Sequence, residues 1–555
     1  VGWLAGRFGL VAAAIVVAAT LAAATRLAPQ AGAPAAVTLG ATTFANLGLV
    51  GVGRLPASLI DAFGDSFGSV SGLQITDWTR VGDGGYTGTF NILPDRGYNG
   101  TSFYADYRAR IHQVRFSFAP YDQAAPIGGD TVAEKLDSQR QVTFTLPITS
   151  LRLKYYDPVR RVESSPTGLD PGSGVGALFG HRVPYVTSYT GPATAAEGAP
   201  SETFRKVDTL AIDVEALALR PDGSGYVGDE YGPFVYHFDR AKMITGVIVP
   251  PPAFLPHMPA DTLNFASTSA PLNGRRNNQG FEGVALSPDG RRLFLLLQSA
   301  LVQDGDPTAH NQRARHTRLL VYDVSAAPTP AAPVAEYALT LPVFAARGRG
   351  GAPDRTAAQS EIVALDDTRL LILARDANGL GSPSDNPSVF KRVLLADLRV
   401  GAPTNFARDA ARNAEGGRIT TSAGVLDPAI TPVQWVEAVD LLDAAQLARF
   451  NVLLDTGADP VSPLTLSEKW EGLSLVPALD SARPNDYFLF VANDNDFLTS
   501  DGRTRGPGGP TRYNAFAGYP SSRVPSAVPG AGIPGHGNDT MFLVYRLTIV
   551  PRPMR

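Results

Sequence analysis

The run Phe281-Glu282-Gly283-Val284-Ala285-Leu286, then Ser287-Pro288-Asp289-Gly290, then Arg291-Arg292-Leu293-Phe294-Leu295-Leu296-Leu297-Gln298, decides how the chain is read. An acid opens a short apolar strand. Pro, Asp and Gly supply the preset or positive φ of a tight connection, and a second apolar strand ends on a polar residue. The same order recurs at Val214-Glu215-Ala216-Leu217 with Gly225-Tyr226-Val227-Gly228-Asp229-Glu230, and at Ser360-Glu361-Ile362-Val363 with Leu370-Leu371-Ile372-Leu373-Ala374-Arg375-Asp376. It recurs again at Trp470-Glu471-Gly472-Leu473 with Tyr487-Phe488-Leu489-Phe490-Val491-Ala492-Asn493-Asp494. A degenerate copy runs from Ser71-Gly72-Leu73 to Leu93-Pro94-Asp95-Arg96, with Ser71 in place of the acid.

Repeats too short to bury a core of their own become stable by packing on their neighbours. Most copies continue into a third strand, at residues 234–239, 319–323 and 541–547. Strand, turn, strand, loop, strand and a variable fourth strand is the grammar of a propeller blade. The expected fold is therefore all-β, a β-propeller of about six four-stranded blades with five to seven compatible, its first and last blades completed by strands from both termini. Long loops at 159–206, 342–359, 401–432 and 499–538 are expected on its faces as lids or insertions. Asp222 and Asp289 sit in turns and, with Asp213 and Asp239, are read as structural. Residues 440–450 are the convincing helix.

The 555 residues carry 56 Gly and 45 Pro, with β-branched and aromatic residues filling the short apolar runs, which favours strands over helices. Residues 1–27, with Arg7 before an apolar run and then small residues, are expected to be a secretory signal, the alternative being an uncleaved N-terminal anchor. Residues 28–41 read as a flexible Pro/Ala-rich segment and 42–555 as one repeat domain, facing the secreted or periplasmic side. The absence of cysteine excludes disulfides, zinc-thiolate sites and cysteine nucleophiles. A formal charge of -4 with no basic tract argues against a nucleic-acid partner. A monomer with no stable membrane partner after signal cleavage is expected.

On a propeller, residues at one repeat position converge on the central channel, so Glu215, Glu282, Glu361 and Glu471 are expected to meet. Close carboxylates repel and must share protons, pair with Arg or bind a cation. The second-strand ends add Asp95, Asp229, Glu230, Asp376, Asp494 and Asp496, of which all but Asp229 join the metal-ligand set, with Gln298, Asn493 and Asn495 as neutral donors and no His. Oxygen-only donors point to Ca²⁺ before zinc or copper. Arg96 and Arg375, read as equivalent positions, can neutralise part of the ring or hold an anionic substrate. The competing reading is structural, with each Glu locking one repeat to the next. Asp494-Asn495-Asp496 lacks the Gly and closing Glu of an EF-hand.

Gly64-Asp65-Ser66-Phe67-Gly68 fits the G-x-S-x-G pattern of a serine esterase. A nucleophile elbow needs a strand before it, a helix after it and a downstream His. No amphipathic helix follows, and His536 is the only tempting late histidine.

In order, Gly68 to Leu73 with Asp95-Arg96-Gly97, Glu215 with Asp229-Glu230-Tyr231-Gly232-Pro233, Phe281 to Val284 with Gln298, and Glu471-Gly472-Leu473 with Asp494-Asn495-Asp496-Phe497 resemble the phytase-like family. This family, also called the esterase-like-activity-of-phytase family, consists of exported bacterial proteins. The resemblance implies a phosphoester-directed or esterase-like activity carried by the recurrent acids. By position it carries over Asp95, Arg96, Glu215, Glu230, Glu282, Glu361, Asp376, Glu471, Asp494 and Asp496; catalytic roles are expected for Glu215, Glu282, Glu361, Glu471, Arg96 and, from its place at a second-strand end, Arg375. The leading expectation is an exported Ca²⁺-dependent hydrolase of small anionic phosphate esters. One alternative is a lactone or carboxylic-ester hydrolase on the same metal-binding scaffold. The other is a non-catalytic, calcium-stabilised binding protein.

Overall fold

Short β-branched and aromatic runs set between Gly, Pro and Asp turns become strands throughout the chain. The computed structural model describes residues 36–553 apart from 83, 100–104, 188, 192–202, 206–208, 260–261, 307–313, 349, 459, 507–508 and 527–536. The expected signal, the greater part of segment 28–41, and His536 lie outside the described residues. Within 28–41, Val37–Leu39 is a strand that turns back on Thr42 to Phe44.

Three sheets are four-stranded, antiparallel and paired in chain order. They comprise Val214–Leu219, Gly225–Asp229, Val235–Phe238 and Ile244–Ile248; Phe281–Leu286, Arg292–Leu297, His316–Asp323 and Ala335–Thr340; and Ala358–Ala364, Arg369–Arg375, Lys391–Asp397 and Gln434–Asp440. A fourth, nine-stranded sheet orders Gly72–Val81, Gly85–Leu93, Arg110–Phe118, Val142–Arg152, Thr42–Leu55, Thr540–Val550, Asp486–Asp494 and Lys469–Pro477, with Val37–Leu39 beside Thr42–Leu55.

This corrects the expected β-propeller of about six four-stranded blades. The domain is all-β with several antiparallel sheets, and among the described residues no sheet closes into a ring or curls as a blade arrangement requires. The departure has a local cause. Thr42–Leu55 pairs along its length with Thr540–Val550, from Thr43 with Val550 to Leu55 with Thr540, and also meets Val142 in parallel at Gly53. Strands from the two chain ends thus join each other and merge the first and last repeats into one sheet.

Arg369–Arg375 and Asp486–Asp494 are buried at every position, which is why they read as continuous apolar runs without alternation. The first strands of the repeats approach closely. A Cβ at Gly472 would fall 2.6 Å from Val70 Cγ1, and one at Gly283 would fall 3.2 Å from Ile362 Cγ2. Glycine after the acid is what permits that approach.

The turn aspartates behave as expected. Asp222 Oδ1 accepts from the backbone N–H and hydroxyl of Ser224, and Asp289 Oδ1 accepts from Ser287 and the Arg291 N–H. The expected helix shortens to Ala444–Ala448, capped by Asp443. Two further short helices, Val132–Asp137 with a Thr131/Glu134 capping box and Ala410–Asn413, are too brief to show a helical period. Among the described residues no helix is long and apolar enough to cross a membrane.

Candidate functional site

A β-bulge sits at the start of the first strand in four repeats, between Val214 and Ala216, Phe281 and Gly283, Gln359 and Glu361, and Trp470 and Gly472. The extra residue at a bulge is unpaired and its side chain is re-aimed. Those residues are Glu215, Glu282, Ser360 and Glu471, and Ser71 holds the same place before Gly72, which pairs with Leu93. The second strands end opposite them, and by the same registers Asp95, Glu230, Gln298, Arg375 and Asp494 are equivalent.

Of these, Glu215, Glu282 and Glu471 with Asp95, Glu230, Gln298 and Arg375 line one cleft of about 750 Å³. Its walls include Asp95, Arg96, Asp213, Glu215, Glu230, Glu282, Gln298, Arg375, Asp376, Lys469, Glu471 and Asp496. Two of the long loops contribute to its walls, one through the hairpin residues Phe344 and Thr356 and the other through Ala515 and Tyr519, which follow the strand Gly509–Tyr513. Two acidic triplets bring ligand oxygens within 4.8 Å of one another: Asp213, Glu215 and Glu230, and Asp95, Asp494 and Asp496. Either can hold a metal ion.

The local bonds differ sharply between groups. Lys469 Nζ lies 2.5 Å from Asp494 Oδ2, 2.8 Å from Asp496 Oδ1 and 3.7 Å from Glu471 Oε1. Arg375 pairs with Glu471 and donates through Nε to Ser360 Oγ. Arg96 lies 3.3 Å from Asp213 Oδ2 and reaches the Tyr231 hydroxyl. Gln298 donates to Glu282 Oε1, while Glu282 Oε2 and Glu230 Oε1 are buried with no hydrogen-bond partner. Asp496 and Phe497 both take left-handed backbone conformations, φ 50° and 55°, a strain that clusters at functional sites.

Burial dominates the electrostatics. It pushes Glu230 up to about 7, with Asp213 adding to the effect, and pushes Asp494 up to about 6 against the pull of Lys469. Burial, then Asp213 and Glu230, hold Glu215 well above the carboxylate range; burial, then Asp494 and Asp213, do the same to Asp95. Burial likewise raises Glu282, Asp213 and Asp496. Burial opposes the charge on Lys469, yet Asp494, Asp496 and Glu471 keep it firmly protonated. Burial on this scale favours the neutral form of each acid unless neighbouring positive charge offsets it.

Three expectations need correcting in detail. Glu361 does not join the cleft: one residue past the bulge, it lines a second cavity of about 630 Å³ formed by the later residues of the same first strands. There Oε1 accepts from the Ile362 N–H. Asp376 touches the cleft, but its oxygens are taken by Lys391 Nζ at 2.7 Å and the N–H groups of Asn378, Val389 and Phe390. Arg96 and Arg375 are not equivalent, since Arg375 aligns with Asp95.

Asp213, read as structural, belongs to an acidic triplet, and Lys469 was missed altogether. Both stand two residues before a bulge acid, and that spacing was the available signal. Asp239 is structural as expected, accepting from Ala241 and Met243.

Ser66 is no exposed nucleophile. It is buried, its Oγ accepts from the Arg503 N–H at 2.9 Å, and Asp65 is paired with Arg110 at 2.8 Å.

Residues 66–497 match the family described as phytase-like, with esterase-like activity of phytase. A protein of Arthroderma benhamiae described as an uncharacterized secreted protein is 31% identical over 496 residues, covering 83% of this chain and 89% of that one. Among solved structures, the WD40 domain of Toxoplasma gondii coronin aligns over 94% of this chain and 89% of that chain at 8% identity, with a TM-score of 0.27. The PQQ-bound aldose sugar dehydrogenase of Streptomyces coelicolor aligns over 92% and 100% at 11% identity, with a TM-score of 0.26. Similarity at that level assigns neither fold nor function.

Proposed function

The chain belongs to the phytase-like family, and from that premise we propose that it is an exported hydrolase of small anionic esters, phosphate esters first, working with a bound divalent cation. The observation that carries the reading is the convergence of Asp213, Glu215 and Glu230 within 4.8 Å, facing a cleft large enough for a small molecule. An all-oxygen donor set without His favours Ca²⁺. The bound ion would supply Lewis acidity toward an ester oxygen and lower the pKa of water.

The chain's own groups divide the remaining work. Glu282, buried with Oε2 free of hydrogen bonds, would accept a proton from the attacking water once the charge of the bound ion offsets the burial that raises its carboxyl. Arg96, partly exposed to the cleft, faces the substrate's negative charge. Arg375 and Glu471 hold each other in place beside them. The secreted relative supports the exported location, and a monomer suffices because one chain supplies the whole cleft.

Phosphate release from phytate and nitrophenyl phosphate, with Ca²⁺ and with chelator, tests this reading. Calcium-dependent release that Glu230→Gln lowers by about 100-fold or more is expected for loss of an ion ligand and its electrostatic stabilisation. Calcium-independent turnover, or full activity in the folded variant, would refute it.

One observation favours a second reading, hydrolysis of lactones or carboxylic esters. Both arginines are already engaged by Asp213 and Glu471, so the cleft offers a phosphate dianion little uncommitted positive charge. A substrate panel showing ester or lactone cleavage with no phosphate release would select it.

A further inference from the structure

The two acidic triplets share one cleft, yet the chain treats them differently. At Asp95, Asp494 and Asp496 an ammonium is built in. Lys469 stands directly across the strand pair from Asp494, and its Nζ touches Asp494 Oδ2 at 2.5 Å and Asp496 Oδ1 at 2.8 Å, with Glu471 Oε1 at 3.7 Å. Three carboxylates around one positive centre is the arrangement a metal ion would otherwise command. At Asp213, Glu215 and Glu230, among the described residues, no lysine forms an ion pair, and the paired cation is the Arg96 guanidinium, 3.3 Å from Asp213 Oδ2. Glu230, 2% exposed, leaves Oε1 without a hydrogen-bond partner. A buried orphan oxygen marks a place where a partner belongs.

We infer that Lys469 stands in for a second cation, so that the cleft takes a single divalent ion, at Asp213, Glu215 and Glu230, while the lysine holds Asp494 and Asp496 of the neighbouring triplet in place. Lys469 is then a positioning residue, and the site is a metal-plus-ammonium pair in place of a two-metal clamp. This rests on the metal-dependent reading above. It deepens that reading by fixing the number of ions and their location. A lysine cannot exchange with solvent ions, so the positive charge at that triplet would be independent of calcium supply.

Calorimetric titration of the chelator-treated full chain with Ca²⁺ tests the inference without recourse to activity. The wild type is expected to bind one ion per chain, Lys469→Met two, and Glu230→Gln none. Two ions in the wild type overturn the inference even if Lys469→Met does not fold. One ion in both wild type and Lys469→Met overturns the stand-in role and leaves the metal-dependent reading intact. No binding by wild type or Lys469→Met overturns both. Melting temperature gives a second readout: without Ca²⁺, Lys469→Met is expected to melt below wild type and to gain more from added Ca²⁺.

Discussion

Desolvation acts on acids and bases with opposite sign, and this chain shows both. Burial lifts Glu230 to about 7, and the same cause pushes the His112 imidazole down to about 3. His112 stacks on Phe67 at 4.6 Å, with Nε2 3.0 Å from the Phe67 carbonyl and Nδ1 2.9 Å from Ser150 Oγ. It thereby anchors the Gly64 to Gly68 segment as structure. A neutral buried His stabilises the fold above its ordinary value of 6.5; that stability is lost as pH falls toward the depressed value, because only the unfolded chain takes up the proton. Going from about pH 7 to about pH 5 should therefore cost about 2 kcal/mol through this one group. Urea unfolding at both pH values should show a drop smaller by about that amount in His112→Gln than in wild type. Equal drops would mean that His112 titrates normally in the fold.

At the scale of a strand, the bulge decides which side chains reach the cleft. A one-residue shift sends a side chain to the opposite face, and the third repeat shows the consequence. The sequence Ser360-Glu361 looks like the acid of the other copies, but Ser360 occupies the bulge and Glu361 takes the place of Gly283 and Gly472. Glu361→Gln is accordingly expected to leave Ca²⁺ affinity and turnover at wild-type levels. Glu215→Gln, the true bulge acid of its repeat, should weaken Ca²⁺ binding in the same calorimetric titration. Matching losses in the two variants would contradict the register argument. The strands and turns were legible in the sequence because Pro-Asp-Gly and apolar runs act locally. The exact alignment of the repeats was not, since a bulge is set by the partner strand. Lys469 escaped for a related reason: its role comes from lying opposite Asp494, and cross-strand register is not written in either segment alone.

At the scale of the molecule, the all-β class followed from composition and turn spacing, while the sheet architecture depended on how two distant segments pair. Local signals could mark residues 541–547 as a strand, but they could not show that Thr42–Leu55 and Thr540–Val550 would unite the first and last repeats in one nine-stranded sheet. That union ties site residues at the two ends of the chain into one body. Asp95 follows Gly85–Leu93 near one edge of the sheet, and Glu471 and Asp494 lie on the two strands at the other edge. Thr540–Val550 is the strand between Asp486–Asp494 and Thr42–Leu55, and nearly all of its 11 residues are buried. Ending the chain after Asp539 would leave two long strand edges unpaired and expose the apolar surface that Met541, Leu543 and Tyr545 now cover. The truncated protein is expected to be insoluble or to lack a cooperative melting transition, as judged by circular dichroism and size exclusion. A cooperative transition in the chain ending at Asp539 would show that the four sheets hold together without the link between the termini.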